Sequence, residues 1–297
     1  MKKFIPFLSA AALLLSSAPV SAIADDLDPY TYEPTIYFKA TSSAPAVTLP
    51  SGMPYINTKE VTDTVKLPSQ VFIKDECKCV GQFTFKWLWS SDDVYLDNVQ
   101  TPVEAGLSSP YTKYNTTADQ NTAISKYYNA EEKMMGIDYS NVVAKPLVLA
   151  GEASDSFPVA LFDLNVKSTA SPEYYDITFK TEQPYVSNIA YRINEGDFRD
   201  VRPKGEYAPP LKIAVSDRAL GDVNDDGILD GRDATAVLTD YAKVSANKDS
   251  IFNKAQSIAA DVNGNLVVDG VDATILLTYY AYNSTHSEMS LIDFMNK

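Results

Sequence analysis

The sequence predicts a chain of two unequal parts, a mostly β N-terminal domain followed by a small all-α region. Up to about Ser216, short segments with alternating apolar residues and many aromatic or β-branched side chains are separated by Pro, Ser, Asn and Gly. This pattern is typical of a β-sandwich or barrel. Beyond Ser216, a short acidic loop followed by apolar residues at helical spacing occurs twice. With 297 residues the chain is long enough for two domains.

Residues 1–24 have the pattern of a secretory signal peptide. Two lysines are followed by an apolar stretch at residues 4–15 and by small residues that permit cleavage near Ile23 or Asp25. No later apolar run approaches the roughly 20 residues that a membrane span requires. We therefore expect a secreted, extracellular protein without a membrane partner or an anchor.

The charge of the chain argues against nucleic acid as a partner. The net charge is −14, and 23 basic residues remain against 39 acidic ones when Lys2 and Lys3 are removed. Phosphate binding depends on clustered lysine and arginine, whereas an acidic surface suits divalent cations.

Six segments of the N-terminal part are predicted to be strands, at residues 35–40, 70–74, 81–90, 158–168, 174–181 and 210–216. In the third, Phe83, Phe85, Trp87 and Trp89 share one face because side chains alternate along a strand. We expect this aromatic ladder to form the core of a sandwich; an exposed platform that stacks on sugars is the alternative.

Two further features of the N-terminal part each give a prediction. Residues 118–135 have moderate helix propensity and are expected to form a helix inserted in a loop. Cys77 and Cys79 are the only cysteines, in a stretch that reads as a strand. Two free thiols on one sheet face are expected, with a strained disulfide as the alternative.

The acidic loops form an internal repeat with an offset of 39 residues. Residues 221–242 read GDVNDDGILDGRDATAVLTDYA, and residues 260–281 read ADVNGNLVVDGVDATILLTYYA. More than half of the 22 aligned positions are identical, so the region contains two copies of one loop and helix unit.

Each copy has the ligand spacing of a calcium loop. Ca²⁺ takes six to eight oxygens, which a 12-residue loop supplies from positions 1, 3, 5, 7 (through its carbonyl), 9 and 12. In the first loop these are Asp222, Asn224, Asp226, Ile228, Asp230 and Asp233, and in the second they are Asp261, Asn263, Asn265, Val267, Asp269 and Asp272. We expect two Ca²⁺ ions and folding of the helical region that is coupled to calcium.

The second loop departs from the first at two positions. Asn265 replaces a charged ligand, and Leu266 occupies the turn position where the first loop has Gly227. A bulky side chain at positive φ is strained, although Gly264 allows the loop a shifted path to the cation. We therefore predict weaker calcium binding at the second loop.

With its paired loops and helices, the region of residues 217–285 resembles a dockerin, an all-α module with two F-hand calcium loops; residues 286–297 are expected to be a C-terminal tail. Dockerins bind cohesin modules and assemble cellulosomes. The resemblance implies partner contacts at loop positions 10 and 11 and on the following helix. These positions are Gly231, Arg232, Thr235, Ala236, Thr239, Asp240 and Lys243 in the first copy, and Gly270, Val271, Thr274, Ile275, Thr278, Tyr279 and Tyr282 in the second.

The two predicted partner faces differ between the copies. The paired positions are Arg232 and Val271, Ala236 and Ile275, Asp240 and Tyr279, and Lys243 and Tyr282. Many dockerins bind a cohesin in either of two orientations related by the repeat. Because aromatic and apolar anchors dominate interfaces, this difference predicts a single orientation that depends mainly on the second copy.

The N-terminal domain, residues 25–216, resembles a cohesin, which is a jelly-roll β-sandwich. The resemblance lies in FTFKWLWSSDDVYLDNV at 83–99 and in SFPVALFDLNVKSTASPEYYDITF at 156–179, with GDFRDV at 196–201 and LKIAVS at 211–216 further on. A chain with one cohesin and one dockerin resembles the single-cohesin adaptor scaffoldins of ruminococcal cellulosomes. It would dock into a scaffoldin cohesin and present its own cohesin to dockerin-bearing enzymes.

A catalytic N-terminal domain is the alternative. His286 is the only histidine and lies outside that domain, which excludes Ser-His-Asp and Cys-His catalysis there. A glycoside hydrolase needs only two carboxylates, for which Asp92, Asp93, Asp97 and Glu104 are candidates without a distinguishing motif. We expect no enzyme, and the alternative function is a dockerin-borne carbohydrate-binding module or glycoside hydrolase.

Overall fold

The computed structural model describes residues 27–28, 30–77, 79–107, 122–141, 156–183, 187–194, 197–286 and 289–297. The predicted signal peptide lies outside these residues. In the described part of the chain no helix is both long and apolar enough to cross a membrane.

The N-terminal part is a β-sandwich of two sheets. Its strands are β1 (Thr35–Ala40), β2 (Val47–Thr48), β3 (Pro54–Asn57), β4 (Thr64–Lys74), β5 (Val80–Leu88), β6 (Val94–Gln100), β7 (Thr122–Asn129), β8 (Met134–Asn141), β9 (Ser156–Lys167), β10 (Glu173–Phe179), β11 (Asn188–Asn194), β12 (Asp197–Val201) and β13 (Leu211–Ser216). Each of the six predicted strands is found, several of them with shifted ends, which confirms a mostly β domain.

The smaller sheet has the order β1-β4-β9-β6, and its strands are antiparallel. The larger sheet has the order β12-β11-β5-β10-β13-β3-β2, and β8 and then β7 extend it from β5. Its β13 and β3 run parallel, so the last strand of the domain lies beside one of the first.

Aromatic side chains from both sheets form the core between them. From the smaller sheet, Phe38 stacks on Phe179 at a ring-centroid distance of 4.2 Å, and Phe162 lies 5.6 Å from Trp87 of the larger sheet. Phe83, Phe85 and Trp87 are at most 2% exposed and Trp89 is 6% exposed. The core interpretation of the aromatic ladder is therefore confirmed, and the sugar-stacking platform is wrong.

The helix expected within residues 118–135 is wrong where the structure describes this segment. Residues 122–141 form the hairpin of β7 and β8, paired in continuous register. The Asn129 side chain accepts hydrogen bonds from the backbone N–H groups of Glu131 and Glu132, and Lys133 takes a positive φ of 48°. Turn chemistry and the β-favouring Ile124, Tyr127 and Tyr128 outweigh the moderate helix propensity.

The two cysteines are free thiols, as expected, but they lie in a turn before β5 and not in a strand. Both are buried, with the sulfur atoms 3.5 Å apart, and the Cys79 thiol donates to the carbonyl oxygen of Cys77.

The C-terminal part is helical, with α1 (Gly231–Ser245), α2 (Lys254–Ala260), α3 (Gly270–Asn283) and α4 (Leu291–Met295). Each acidic loop leads directly into α1 or α3. The acids at loop positions 9 and 12 also form the capping box of the following helix, Asp230 with Asp233 and Asp269 with Asp272. The expected tail contains α4, whose Leu291 and Phe294 pack against α3.

The helical region is packed onto the β domain. Ile258 of α2 joins Leu49, Met53, Tyr55 and Ala214 in a buried cluster. At the join, the Tyr55 hydroxyl donates to the carbonyl oxygen of Arg218 at 2.8 Å, and the Ser216 hydroxyl donates to that of Ala255 at 3.1 Å.

Candidate functional site

The first acidic loop is closed by hydrogen bonds from its own backbone to the predicted ligand side chains. The Asp222 carboxylate accepts from the N–H groups of Asp225 at 2.7 Å and Gly227 at 2.9 Å. The Asp233 carboxylate accepts from Val223 at 3.0 Å and, through its other oxygen, from Asp230 at 3.0 Å. The backbone of the loop thereby fixes the side chains of its first and last acids.

The second loop repeats this network. Asp261 accepts from the N–H groups of Asn265 at 3.0 Å and Leu266 at 2.9 Å, and Asp272 accepts from Asp269 at 3.0 Å and Asn263 at 3.4 Å. Leu266 takes a φ of 69°, the left-handed conformation predicted to strain it. The loop follows the same path as the first, so no shifted path exists.

Four of the predicted ligands are buried carboxylates. Asp222, Asp233, Asp261 and Asp272 are at most 4% exposed, and no ion pair found in the described part of the chain includes them. Burial raises the pKa of Asp233 and Asp261, and it raises that of Asp272 to about 6. Buried carboxylates without a cation are costly, and a hard divalent cation between them would remove this cost.

The remaining predicted ligands lie nearer the surface. Ile228 and Val267, which are predicted to bind through their carbonyl oxygens, leave more than half of their area exposed. Asn224 accepts from the Asp226 N–H at 2.9 Å. The predicted ligand atoms of both loops are carboxylate, amide and carbonyl oxygens, the set that Ca²⁺ prefers.

No three aspartate, glutamate, histidine or cysteine side chains among the described residues are gathered closely enough to form a metal site by themselves. In the first loop, two acids face Arg232 instead, because its guanidinium lies 3.0 Å from Asp226 and 2.9 Å from Asp230. At the corresponding position of the second loop, Val271 supplies no charge. The first loop therefore has the fuller set of acids but also an internal competitor for the cation.

The predicted partner residues fall into exposed, partly exposed and buried sets. Exposed are Arg232, Thr235, Thr239, Lys243, Val271, Thr274 and Thr278; partly exposed are Gly231, Ala236, Gly270, Ile275 and Tyr282; buried are Asp240 and Tyr279.

The expectation that Asp240 and Tyr279 contact a partner is corrected, because both side chains are enclosed within the helical region. Asp240 accepts hydrogen bonds from Ser250 at 2.8 Å and from the Ile251 N–H at 2.6 Å. The Tyr279 hydroxyl donates to the carbonyl oxygen of Met289 at 2.7 Å. Each side chain thus holds the segment that follows its own helix and is unavailable as a partner anchor.

Two pairs of exposed apolar residues on α1 and α3 are instead identical in the two copies, and sequence reasoning missed them. Leu238 and Leu277 are 43% and 42% exposed, and Tyr241 and Tyr280 are 41% and 46% exposed. A Cβ atom added at Gly231 would lie 4.0 Å from a ring carbon of Tyr280, and one added at Gly270 would lie 3.8 Å from a ring carbon of Tyr241. Leu238 and Leu277, like Tyr241 and Tyr280, are separated by the 39-residue offset of the repeat. Their identity in the two copies was the signal that could have found them.

A shallow depression of about 400 Å³ lies beside this surface on α1, lined by Thr235, Leu238, Thr239 and Lys243 among others. We call the exposed surface of α1 and α3 that contains Leu238, Tyr241, Leu277 and Tyr280 the helix face.

The smaller sheet of the β domain has a second open surface on its outer side. Tyr37 of β1 stacks on Phe72 of β4 at 5.3 Å, and both rings are only partly buried. Further along, Lys66 pairs with Asp163 at 3.0 Å, and Tyr95 lies on the neighbouring strand. We call this outer surface, which contains Tyr37, Lys66, Phe72, Tyr95 and Asp163, the sheet face.

The candidate catalytic acids lie in surface interactions. Asp92 pairs with Lys133, and Asp93 lies 3.5 Å from Lys167. Glu104 pairs with Lys126, which holds its pKa below the ordinary value. A general acid of a glycoside hydrolase needs a raised pKa, so Glu104 is unsuited to that role.

Comparison with known proteins finds no matching protein-family model and no matching curated protein. Among solved structures, the chain is similar to cohesin modules. The seventh ScaB type I cohesin from Pseudobacteroides cellulosolvens is 14% identical, with 56% of this chain and 88% of that chain covered and a TM-score of 0.35. A type II cohesin domain from the cellulosome of Acetivibrio cellulolyticus is 12% identical, with 61% and 95% covered and a TM-score of 0.35.

The third cohesin ScaC of Acetivibrio cellulolyticus, solved in complex with the ScaB dockerin, is 15% identical, with 52% of this chain and 90% of that chain covered and a TM-score of 0.33. At TM-scores this low, the likeness by itself assigns no function.

Proposed function

We propose that this chain is a secreted, non-catalytic adaptor of a cellulosome, with a cohesin-like β domain and a calcium-dependent dockerin. The observation that carries the proposal is the pair of loop and helix units that expose identical apolar residues on one helix face. The β domain supports it through its sandwich architecture, its buried aromatic ladder and its open sheet face. The chain would then join two partners at two separate surfaces.

Calcium has a structural role in this proposal. Each ion would occupy one loop, held by the carboxylate, amide and carbonyl oxygens predicted for it, and would neutralise the buried acids. Because Asp233 and Asp272 also belong to the capping boxes of α1 and α3, the cation would stabilise the start of both helices. Removal of calcium with EGTA should therefore reduce the helical circular dichroism signal, and addition of calcium should restore it.

The helix face would bind the cohesin of a larger scaffoldin. Its leucine and tyrosine pairs are related by the repeat, so a partner can meet the same chemistry in two orientations. The prediction of one orientation was based on four unequal pairs, of which only Asp240 and Tyr279 are buried. The other three pairs still differ at the surface, so the proposal of two orientations depends on the leucine and tyrosine pairs.

The orientation is testable with two leucines. Leu238→Ala and Leu277→Ala should each leave most of the cohesin affinity, and the double variant should abolish binding, as measured by surface plasmon resonance on a panel of scaffoldin cohesins. A single substitution as damaging as the double one would show that one orientation dominates.

The sheet face would bind the dockerins of other proteins. It combines aromatic side chains at Tyr37 and Phe72 with charges at Lys66 and Asp163, a mixture that supports both affinity and partner choice.

The main experiment tests whether the helix face and the sheet face bind different partners. The full chain, loaded with calcium, is tested against immobilised cohesins and against immobilised dockerins. Phe72→Asp should abolish dockerin binding and leave cohesin binding intact, whereas the Leu238 and Leu277 double variant should do the reverse. Retention on cellulose or xylan, or release of reducing sugar, without any binding to cohesins or dockerins would contradict the proposal and favour a carbohydrate-active domain.

A further inference from the structure

Both acidic loops lie against the β domain, and the second is in the more intimate contact. The Tyr174 hydroxyl of β10 donates to the Asp261 carboxylate at 2.9 Å. The Ser51 N–H donates to the carbonyl oxygen of Asn263 at 3.2 Å. A Cβ atom at Gly264 would lie 2.9 Å from the Leu49 side chain, so the β domain fits directly against the loop backbone.

The hydrogen bond from Tyr174 reaches the first predicted ligand of the second loop. The corresponding ligand of the first loop, Asp222, accepts hydrogen bonds only from backbone N–H groups within the described part of the chain. An external side chain therefore orients only one of the two first-position ligands.

The packing beneath the second loop connects it firmly to the β domain. Ile258 of α2 is fully buried in the cluster with Leu49, Met53 and Tyr55. Helix α2 ends at Ala260, immediately before Asp261. A displacement of the β domain would therefore move α2, Tyr174 and the first ligand of the loop together.

The first loop meets the β domain differently. Lys59 binds the Asp225 carboxylate at 2.6 Å, and the two side chains are 53% and 38% exposed. Asp225 is at loop position 4 and is not a predicted ligand, and such an exposed ion pair is weak. The coupling between domain contact and calcium should therefore concentrate at the second loop.

We propose that Tyr174 is a positioning residue of the second calcium loop, so that calcium at this loop and docking of the β domain stabilise each other. The inference rests on the proposed function, because it requires that the loops bind calcium. The Tyr174 hydroxyl fixes the orientation of Asp261 before the ion arrives, and side chains that orient a ligand typically contribute 10-fold to 100-fold in affinity. By linkage, calcium strengthens domain docking by the same factor as docking strengthens calcium binding.

Isothermal titration of the full chain with calcium tests this coupling. Tyr174→Phe should weaken one of two sites about 10-fold and leave the other unchanged. Tyr175→Phe is the matched control, since the neighbouring hydroxyl donates to the carbonyl oxygen of Ser171, away from both loops, and should change neither site.

The possible results separate the two proposals. A wild-type chain that binds no calcium overturns the proposed function. Two sites in the wild type with both affinities unchanged in Tyr174→Phe overturn the coupling alone. Equal weakening of both sites also overturns it, because the hydroxyl contacts only one loop.

Small-angle X-ray scattering gives a second readout, in which the wild-type chain already tests the coupling. The radius of gyration of the wild-type chain should fall when calcium is added to EGTA-treated protein, and Tyr174→Phe should need more calcium for the same change. A radius that is the same with and without calcium would show that the ion does not control docking.

Discussion

Two glycines in matched conformations allow the contact between the second loop and the β domain to be measured. Gly227 has a φ of 78° and Gly264 a φ of 74°, so an alanine at either position pays a similar backbone cost. That cost is roughly 1–2 kcal/mol, partly offset by about 0.4–1 kcal/mol because alanine restricts the unfolded chain. We expect a net loss of about 1 kcal/mol for Gly227→Ala, where nothing lies within 4 Å of the added Cβ.

Gly264→Ala should cost more, because the added Cβ meets Leu49 at 2.9 Å and also the Ser51 hydroxyl. Overpacking of this kind adds about 1–3 kcal/mol, giving a total of about 2–4 kcal/mol. The assay is thermal unfolding of the full chain in saturating calcium, followed by circular dichroism at about 222 nm, where the α-helical signal dominates. Equal shifts in Tm for the two variants would refute the close packing of the β domain on the second loop.

The remaining predictions concern the ion, the strained turn and the core. Arg232→Val should raise calcium affinity at the first loop by removing the cation that pairs with its acids, and Val271→Arg should lower it at the second, both measured by isothermal titration. Leu266→Gly should strengthen calcium binding at the second loop by about 1 kcal/mol, because it removes a side chain from the left-handed region; an unchanged titration would show that the strain is absent. Trp87→Ala should lower the unfolding free energy of the β domain by about 3–5 kcal/mol, since the side chain is fully buried, as measured by urea denaturation.

The parts of the molecule that sequence predicted best are those set by local spacing. Alternation along residues 81–90 placed Trp87 in the core, and the ligand spacing located both loops and the starts of α1 and α3. The hairpin at residues 122–141 was missed because it depends on the turn at Asn129 and on pairing with β5, which propensity does not describe.

The partner surface was less predictable because exposure of a helical residue depends on what packs over it later in the chain. Asp240 and Tyr279 occupy the same position in the repeat, yet each is covered by the segment after its own helix. That covering is a tertiary contact with no counterpart in the helical periodicity. Leu238 and Leu277 are uncovered, and their identity in the two copies was the informative signal.

The contact with the β domain gives a structural reason for the position of glycine in the second loop. Both loops require positive φ at positions 4 and 6, at 62° and 78° in the first and 74° and 69° in the second. The first loop places its glycine at position 6 and leaves Asp225 at position 4 to meet Lys59. The second places Gly264 at position 4, where Leu49 leaves no room for a Cβ, and Leu266 takes the strained conformation at position 6, with its side chain 46% exposed. The exchange of glycine between the two positions, which from the sequence indicates only a poorer metal loop, thus matches the loop to the surface of the β domain on which it packs.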